Sequence, residues 1–188
     1  TNFNLVRTIE DIRDGSKMSR SSVLVSWLPV FHDMGLIFGL LSAVYVGIPS
    51  YIMSPVSFLE KPYRWLHAIS RFKGTHTAAP NFAYELCTRK ITEEEKSTLD
   101  LDSLTFVVNA AEPVRLETMV EFSEAFASRG FAFDKFTPSY GLAEATVKVS
   151  SKTPGDKVSY CFLNSTELEK NKLVFVPKAD PNAYPSIG

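Results

Sequence analysis

Three stretches of this chain carry residues whose types and spacing could do chemistry. In NAAEPV, residues 109–114, a strongly β run leads into two alanines, a carboxylate and a proline. Alanines at a strand end let a flat ligand approach the backbone, where N–H and C=O groups can read the edge of a ring. The same residues also suit a βα loop chosen for packing alone. In SYGLAEAT, residues 139–146, an aromatic precedes a glycine and small residues, and Glu144 follows. The face of Tyr140 can stack on a nucleobase, a contact worth roughly 1–3 kcal/mol. Gly141 permits a tight turn beside it. Glu144 supplies a hard oxygen suited to Mg²⁺ held jointly with phosphates. The competing reading is a helix start with Glu144 favoured by the dipole. In SWLPVFHDMGL, residues 26–36, Pro29 ends a strand, His32 lies in the turn and an apolar helix follows. His32 there either borders an apolar cavity or makes a structural hydrogen bond.

These stretches need a scaffold, and the alternation of elements supplies one. Leu5, Ile9 and Ile12 repeat at helical spacing, with Gly15 and Ser16 at the end. VLVSWLP (23–29) reads as a buried strand. Asp33 can cap an apolar helix over 34–47, which Pro49 stops, and SYIMS (50–54) reads as a second strand. Pro62 opens a helix whose core face is Trp65, Leu66 and Ile69. THTAAP (75–80) is a third strand, and 82–90 a short helix with Phe82, Leu86 and Cys87 as its apolar positions. TEEEK (92–96) reads as an exposed charged segment. LTFVVN (104–109) is a fourth strand. A helix stripe through Leu116, Met119, Val120, Ser123, Phe126 and Ala127 ends at Gly130.

Strand–helix alternation at this spacing predicts an α/β fold, a mainly parallel sheet flanked by helices on both faces. Ligands in such sheets sit beyond the C-terminal strand ends, where the three stretches fall. From about residue 150 the texture changes: SSKTPGDKVSY is turn-rich, ELEKN a short helix candidate, and KLVFVP an isolated strand. The expected division is 1–150 as an α/β subdomain and 151–188 as a C-terminal insertion or the start of another unit.

Composition narrows the classes. The chain has 188 residues, 45% of them apolar and 22% charged, which is enough for a real core and unlike a disordered segment. Twenty basic against 21 acidic residues give a net charge of −1, which argues against nucleic-acid binding through phosphate contacts. Cys87 and Cys161 cannot form a disulfide scaffold and read as buried, unreactive thiols. His32, His67 and His76 are too scattered to suggest a metal site. There is no GxSxG elbow, no GxGxxG and no Walker A loop. The first twenty residues lack a signal peptide's apolar core. Residues 34–59 carry no charge, but prolines interrupt them and the helix-like part is shorter than the roughly 20 residues needed to span a bilayer. Gly35 and Gly39 therefore point to close packing of a core helix. The expectation is a cytoplasmic protein with no membrane span.

Taken together, LPVFHDMGL, THTAAPNFAYELC, LTFVVNAAEPV and PSYGLAEAT, in this order and at these intervals, resemble the adenylate-forming acyl and aryl ligases, and within them the fatty acyl-AMP ligases. The resemblance covers residues 1–150 well. It extends more weakly over 151–188, which resembles that branch's extra insertion. It implies an ATP-dependent ligase that activates a fatty acid to acyl-AMP and passes the acyl group to the phosphopantetheine thiol of an acyl-carrier protein. By position, it implies that Ala110, Ala111, Glu112 and Pro113 line the adenine pocket. Tyr140 would stack on the base beside Gly141 and Leu142, and Glu144 would hold Mg²⁺ near the α-phosphate. His32 would border the acyl pocket, with Asn81 and Phe82 near the same tunnel. Ala143 stands where the wider superfamily usually has threonine, which suits the fatty acyl-AMP branch and removes a hydroxyl contact. The family's phosphate loop and catalytic lysine match nothing in residues 1–188, so this stretch alone is expected to be inactive. An acyl-coenzyme A ligase and a non-catalytic nucleotide- or lipid-binding module are the alternatives.

Overall fold

A computed structural model describes residues 1–187. Helix α1 (Asn2–Gly15) is capped by the Thr1 side chain and buries Ile9 and Ile12. Strand β1 (Leu24–Ser26) is fully buried and shorter than the apolar run around it. The apolar stretch that follows is not α-helical at first: Met34–Leu41 is a π-helix, which continues as α2 (Ser42–Val46) and stops at left-handed Gly47. The glycines explain how it packs. A Cβ on Gly35 would stand 2.2 Å from the Pro29 carbonyl oxygen, and one on Gly39 would stand 3.1 Å from Ser26 Oγ. The π-helix therefore lies directly on the end of β1.

Edge strand β2 (Ser50–Ile52) leads through α3 (Pro55–Glu60), a helix the sequence pattern did not reveal, into α4 (Tyr63–Phe72). Strand β3 (His76–Ala79) feeds α5 (Asn81–Lys90). Here Phe82 is 45% exposed, and the buried positions are Asn81, Ala83, Tyr84 and Cys87. Of the expected apolar positions, Cys87 is buried and Leu86 packs partly buried against the core, while Phe82 is not part of it. The charged TEEEK segment is a short helix, α6 (Glu93–Ser97), closed by a Thr92/Glu95 capping box. Its Lys96 is buried, paired with Glu93 at 2.7 Å and lying 5.4 Å over the Phe126 ring. The apolar stem explains how a lysine packs there.

Strand β4 (Phe106–Asn109) precedes α7 (Leu116–Phe126), and β5 (Phe136–Leu142) pairs with β6 (Val147–Ser151). The six-stranded sheet has the order β2-β1-β3-β4-β5-β6. All neighbours are parallel except β5 and β6. The chain winds outward to β2, returns across β1 and builds on from β3, so the switch point falls between β1 and β3. Alternation assigns the two faces. Phe106 meets Phe38 of the π-helix and His76 on one face. On the other, Trp65 donates to Thr77 Oγ1 at 3.0 Å and Tyr84 Oη donates to the Val108 carbonyl at 2.6 Å.

Beyond β6, strands β7 (Tyr160–Asn164) and β8 (Ala183–Ile187) form a separate antiparallel pair, with α8 (Ser165–Leu168) following β7. KLVFVP is not a strand. It contributes a single bridge from Phe175 to Leu163. Gly188, the last residue of the expected insertion, lies outside the described residues. Cys87 is buried, which pushes its thiol pKa well up, and Cys161 is half-buried.

Candidate functional site

The loop after β4 begins at buried Ala110, whose N–H donates to the Ala79 carbonyl at 3.3 Å. Ala111 then takes φ +72°, the left-handed region. A non-glycine residue pays about 1–2 kcal/mol for that conformation, so surrounding contacts must hold it. Asn81, at the first turn of α5, does so. Its Nδ2 donates to the Pro113 carbonyl at 2.8 Å, and its Oδ1 accepts from Asn109 Nδ2 at 2.9 Å and from Arg115 N–H at 3.0 Å. The carboxylate of Glu112 reaches the Phe82 N–H at 3.4 Å, at the open end of the same helix. One buried side chain thus ties the start, middle and end of the loop to α5.

SYGLAEAT does not start a helix. Tyr140 and Gly141 belong to β5, and Ala143–Ala145 is a 3₁₀ turn joining it to β6. Antiparallel pairing, rather than a crossover, decides this. Gly141 is required by proximity, because a Cβ there would stand 1.8 Å from the Val147 carbonyl oxygen.

Two cavities flank Tyr140. The first, about 550 Å³, lies against the sheet face under the π-helix. Ile12, Met34, Phe38, Phe106, Val108 and Leu142 make it predominantly apolar, while His32, Ser139 and Lys148 add polar groups. The second, about 710 Å³, is more polar. Its walls include Glu112, Pro113, Ser150, Lys152 and, from β8, Tyr184 and Ser186. Ala111, Ser139, Tyr140, Gly141 and Ser151 line both. Tyr140 is 61% exposed, leaving its ring free for stacking.

The residues expected from sequence are distributed as follows. Ala111, Glu112, Pro113, Tyr140 and Gly141 share the second cavity, while Ala110, Leu142 and Ala143 line the first. His32 also lines the first, and its Nδ1 lies 2.8 Å from Asp33 Oδ1 and 3.2 Å from the Met34 N–H. It therefore borders a cavity and takes part in the N-terminal turn of the π-helix as well. Asn81 and Phe82 line neither cavity; Asn81 clamps the loop, and Phe82 packs edge-on against Trp27 at 5.9 Å. Glu144 sits on the exposed 3₁₀ turn outside both cavities, with no hydrogen bond or ion pair among the described residues. No group of three metal-ligating side chains occurs among the described residues.

Lys148, Lys152 and Tyr184 carry no sequence signal of their own, because strand pairing with distant segments puts them on the cavity walls. Burial lowers the pKa of both lysines; Asp11 partly offsets this at Lys148, and Asp134 and Asp156 do so at Lys152. Lys152 Nζ donates to the Asp134 and Asp156 carbonyls at 2.8 and 2.7 Å, fixing one wall of the second cavity.

Comparison with known proteins places this arrangement. A model of the AMP-binding enzyme family matches residues 1–165. The chain belongs to this family. Among curated proteins it is similar to the medium-chain-fatty-acid–[acyl-carrier-protein] ligase JamA of Moorena producens, at 44% identity over 180 residues, covering 96% of this chain and 30% of JamA. It is 36% identical over 174 residues to the ligase of the same description, TtuA, of Teredinibacter turnerae, covering 93% of this chain and 27% of TtuA. Among solved structures it resembles the fatty acid AMP ligase from Legionella pneumophila, with a TM-score of 0.94 and 41% identity over 98% of this chain and 32% of that one. The chain therefore spans less than a third of the length of these curated relatives. No helix among the described residues is long and apolar enough to cross a membrane.

Proposed function

We propose that the chain is the nucleotide- and acyl-binding portion of a fatty acid adenylating ligase that uses ATP and delivers the acyl group to an acyl-carrier protein. The observation that carries this reading is the meeting of a polar and an apolar cavity at Ala111 and Tyr140. Activation of a carboxylate needs such a junction, because the carboxylate oxygen and the α-phosphorus must be held at bonding distance. In this reading adenine stacks on Tyr140 against the Ala110–Pro113 corner, with Leu142 and Ala143 alongside. The acyl chain enters the apolar cavity past His32. The carboxylate oxygen attacks the α-phosphorus, an oxygen–phosphorus bond forms, and the bond to the bridging oxygen breaks as pyrophosphate leaves. Attack by the phosphopantetheine thiol on the acyl carbon then releases AMP.

The donor chemistry fits Mg²⁺ at Glu144: a single exposed, unpaired carboxylate can share the ion with substrate phosphates and water. When bound, the ion would neutralise charge on the phosphates. Residues 1–150 would form the binding subdomain and 151–188 an inserted unit. The setting would be the cytoplasm, where ATP and carrier proteins meet. The names of JamA and TtuA support a fatty acid substrate and a carrier-protein acceptor.

The test is pyrophosphate release by the full-length ligase with fatty acids of graded length, with carrier protein or coenzyme A as acceptor. Fatty acid-dependent release, acyl transfer to the carrier, and at least a hundredfold loss in Glu144→Ala with unchanged circular dichroism are expected. Release that ignores fatty acid overturns the reading, and near-normal release by Glu144→Ala overturns the metal role.

A further inference from the structure

The hairpin that carries Glu144 is closed by a residue in an unusual conformation. Leu142 pairs with Val147, so Ala143, Glu144, Ala145 and Thr146 alone turn the chain from β5 into β6. The Thr146 N–H donates to the Ala143 carbonyl at 2.9 Å, and Thr146 itself takes φ +74° and ψ −32°. Hairpin loops place glycine or asparagine at a positive φ by preference, and a β-branched residue there is an outlier. Lys73 shows the ordinary case, ending α4 in the left-handed well at φ +52° and ψ +48°. Thr146 lies outside that well, toward the classic γ-turn, which is rare and strained.

Packing imposes the conformation. The Val147 carbonyl oxygen lies over the bare Cα of Gly141, where a Cβ would stand 1.8 Å from it. Val147 is fixed at that end, and the hydrogen bond to Ala143 fixes the other. Thr146 joins the two, so its dihedrals absorb the mismatch. Glu144 depends on the result. It is exposed, its carboxylate has no ion-pair partner among the described residues, and both its chain neighbours are alanines. No side chain holds the carboxylate; only the backbone of the turn does. A branched Cβ confines that backbone, whereas glycine would open several conformations to it.

We infer that Thr146 is a positioning residue for Mg²⁺: its strained backbone holds the Glu144 carboxylate where the ion meets the ATP phosphates. This rests on the reading of Glu144 as the metal-holding residue above. Strain of this kind persists only where the surroundings over-determine it, and it gathers at functional sites. Ala111, at φ +72° between the two cavities, is a second instance at the same site.

The experiment measures the affinity of the full-length ligase for α,β-methylene-ATP with and without Mg²⁺ by calorimetry, and thermal unfolding without nucleotide, in wild type, Thr146→Gly, Thr146→Val and Glu144→Ala. In wild type, Mg²⁺ should tighten binding at least fivefold. Thr146→Gly should lose most of that enhancement, bind the metal-free analogue as wild type does, and unfold at no lower Tm, because glycine removes the strain. Thr146→Val, equally branched but without the hydroxyl, should keep the enhancement. A merely structural role would shift both affinities together and lower the Tm. An enhancement kept in Thr146→Gly or lost in Thr146→Val overturns the inference, as does a lowered Tm in Thr146→Gly. An enhancement that survives Glu144→Ala overturns the metal reading and the inference with it; one lost in Glu144→Ala yet kept in Thr146→Gly overturns only the role of Thr146.

Discussion

Replacing Asn81 by alanine tests whether one side chain holds the loop at the junction. Asn81 is 1% exposed and makes three hydrogen bonds to the 109–115 segment. The Pro113 carbonyl and Arg115 N–H lie nearer the surface, where water can replace a lost partner, so each bond should cost well under 1 kcal/mol. Asn109 is different. It is fully buried, its Oδ1 already has no partner, and Asn81 is the acceptor for its Nδ2. Truncation leaves that amide wholly unpaired, a penalty of about 1–3 kcal/mol. The sum is about 3 kcal/mol, readable as a lower urea midpoint at unchanged m-value. The left-handed conformation of Ala111 loses its restraint at the same time. The KM for ATP in the full-length ligase should therefore rise on the order of tenfold even at temperatures where the variant is fully folded, by the entropy of an unheld loop. A stability loss below about 1 kcal/mol, or an unchanged KM in a destabilised protein, refutes the clamp.

Tyr140→Ala should raise the KM for ATP by about one to two orders of magnitude through loss of roughly 1–3 kcal/mol of stacking. Tyr140→Phe should stay within about twofold, because the ring face is what is used; initial-rate kinetics separate the two. Gly141→Ala forces a Cβ to within 1.8 Å of the Val147 carbonyl oxygen, so the β5–β6 hairpin must shift, at a cost of about 1–3 kcal/mol, seen as a lowered Tm. His76 is buried between Thr75 Oγ1 and the Ser16 carbonyl, and desolvation pushes its pKa down to about 4. The unfolded chain takes up this proton near pH 6.5 and the folded protein only near 4, so His76 favours folding above that window and the benefit is lost as pH falls through it, by up to about 3 kcal/mol. Urea midpoints between pH 7.5 and 4 should fall more steeply in wild type than in His76→Gln; parallel profiles would remove His76 as the cause.

The sequence by itself determined the βα alternation, the parallel sheet and the positions at strand ends where ligand-facing residues gather. These follow from local periodicity and from proline and glycine punctuation, which act within a few residues. Trp65, Leu66 and Ile69 were legible as a helix face for that reason. What only the tertiary structure decided depends on partners far along the chain. The close seat of the π-helix at the end of β1, which Gly35 and Gly39 permit, is one such case. Asn81 is a clamp because β4 brings Asn109 beside it, and Phe82 is exposed because α5 turns its Tyr84 side to the sheet. Tyr140 divides two cavities only because β6 returns antiparallel and β8 closes the far wall. The shift between the Tyr140–Ser150 and Gly141–Lys148 pairs, which leaves Val149 without a partner, is a matter of pairing register, set between strands and leaving no mark on either strand alone.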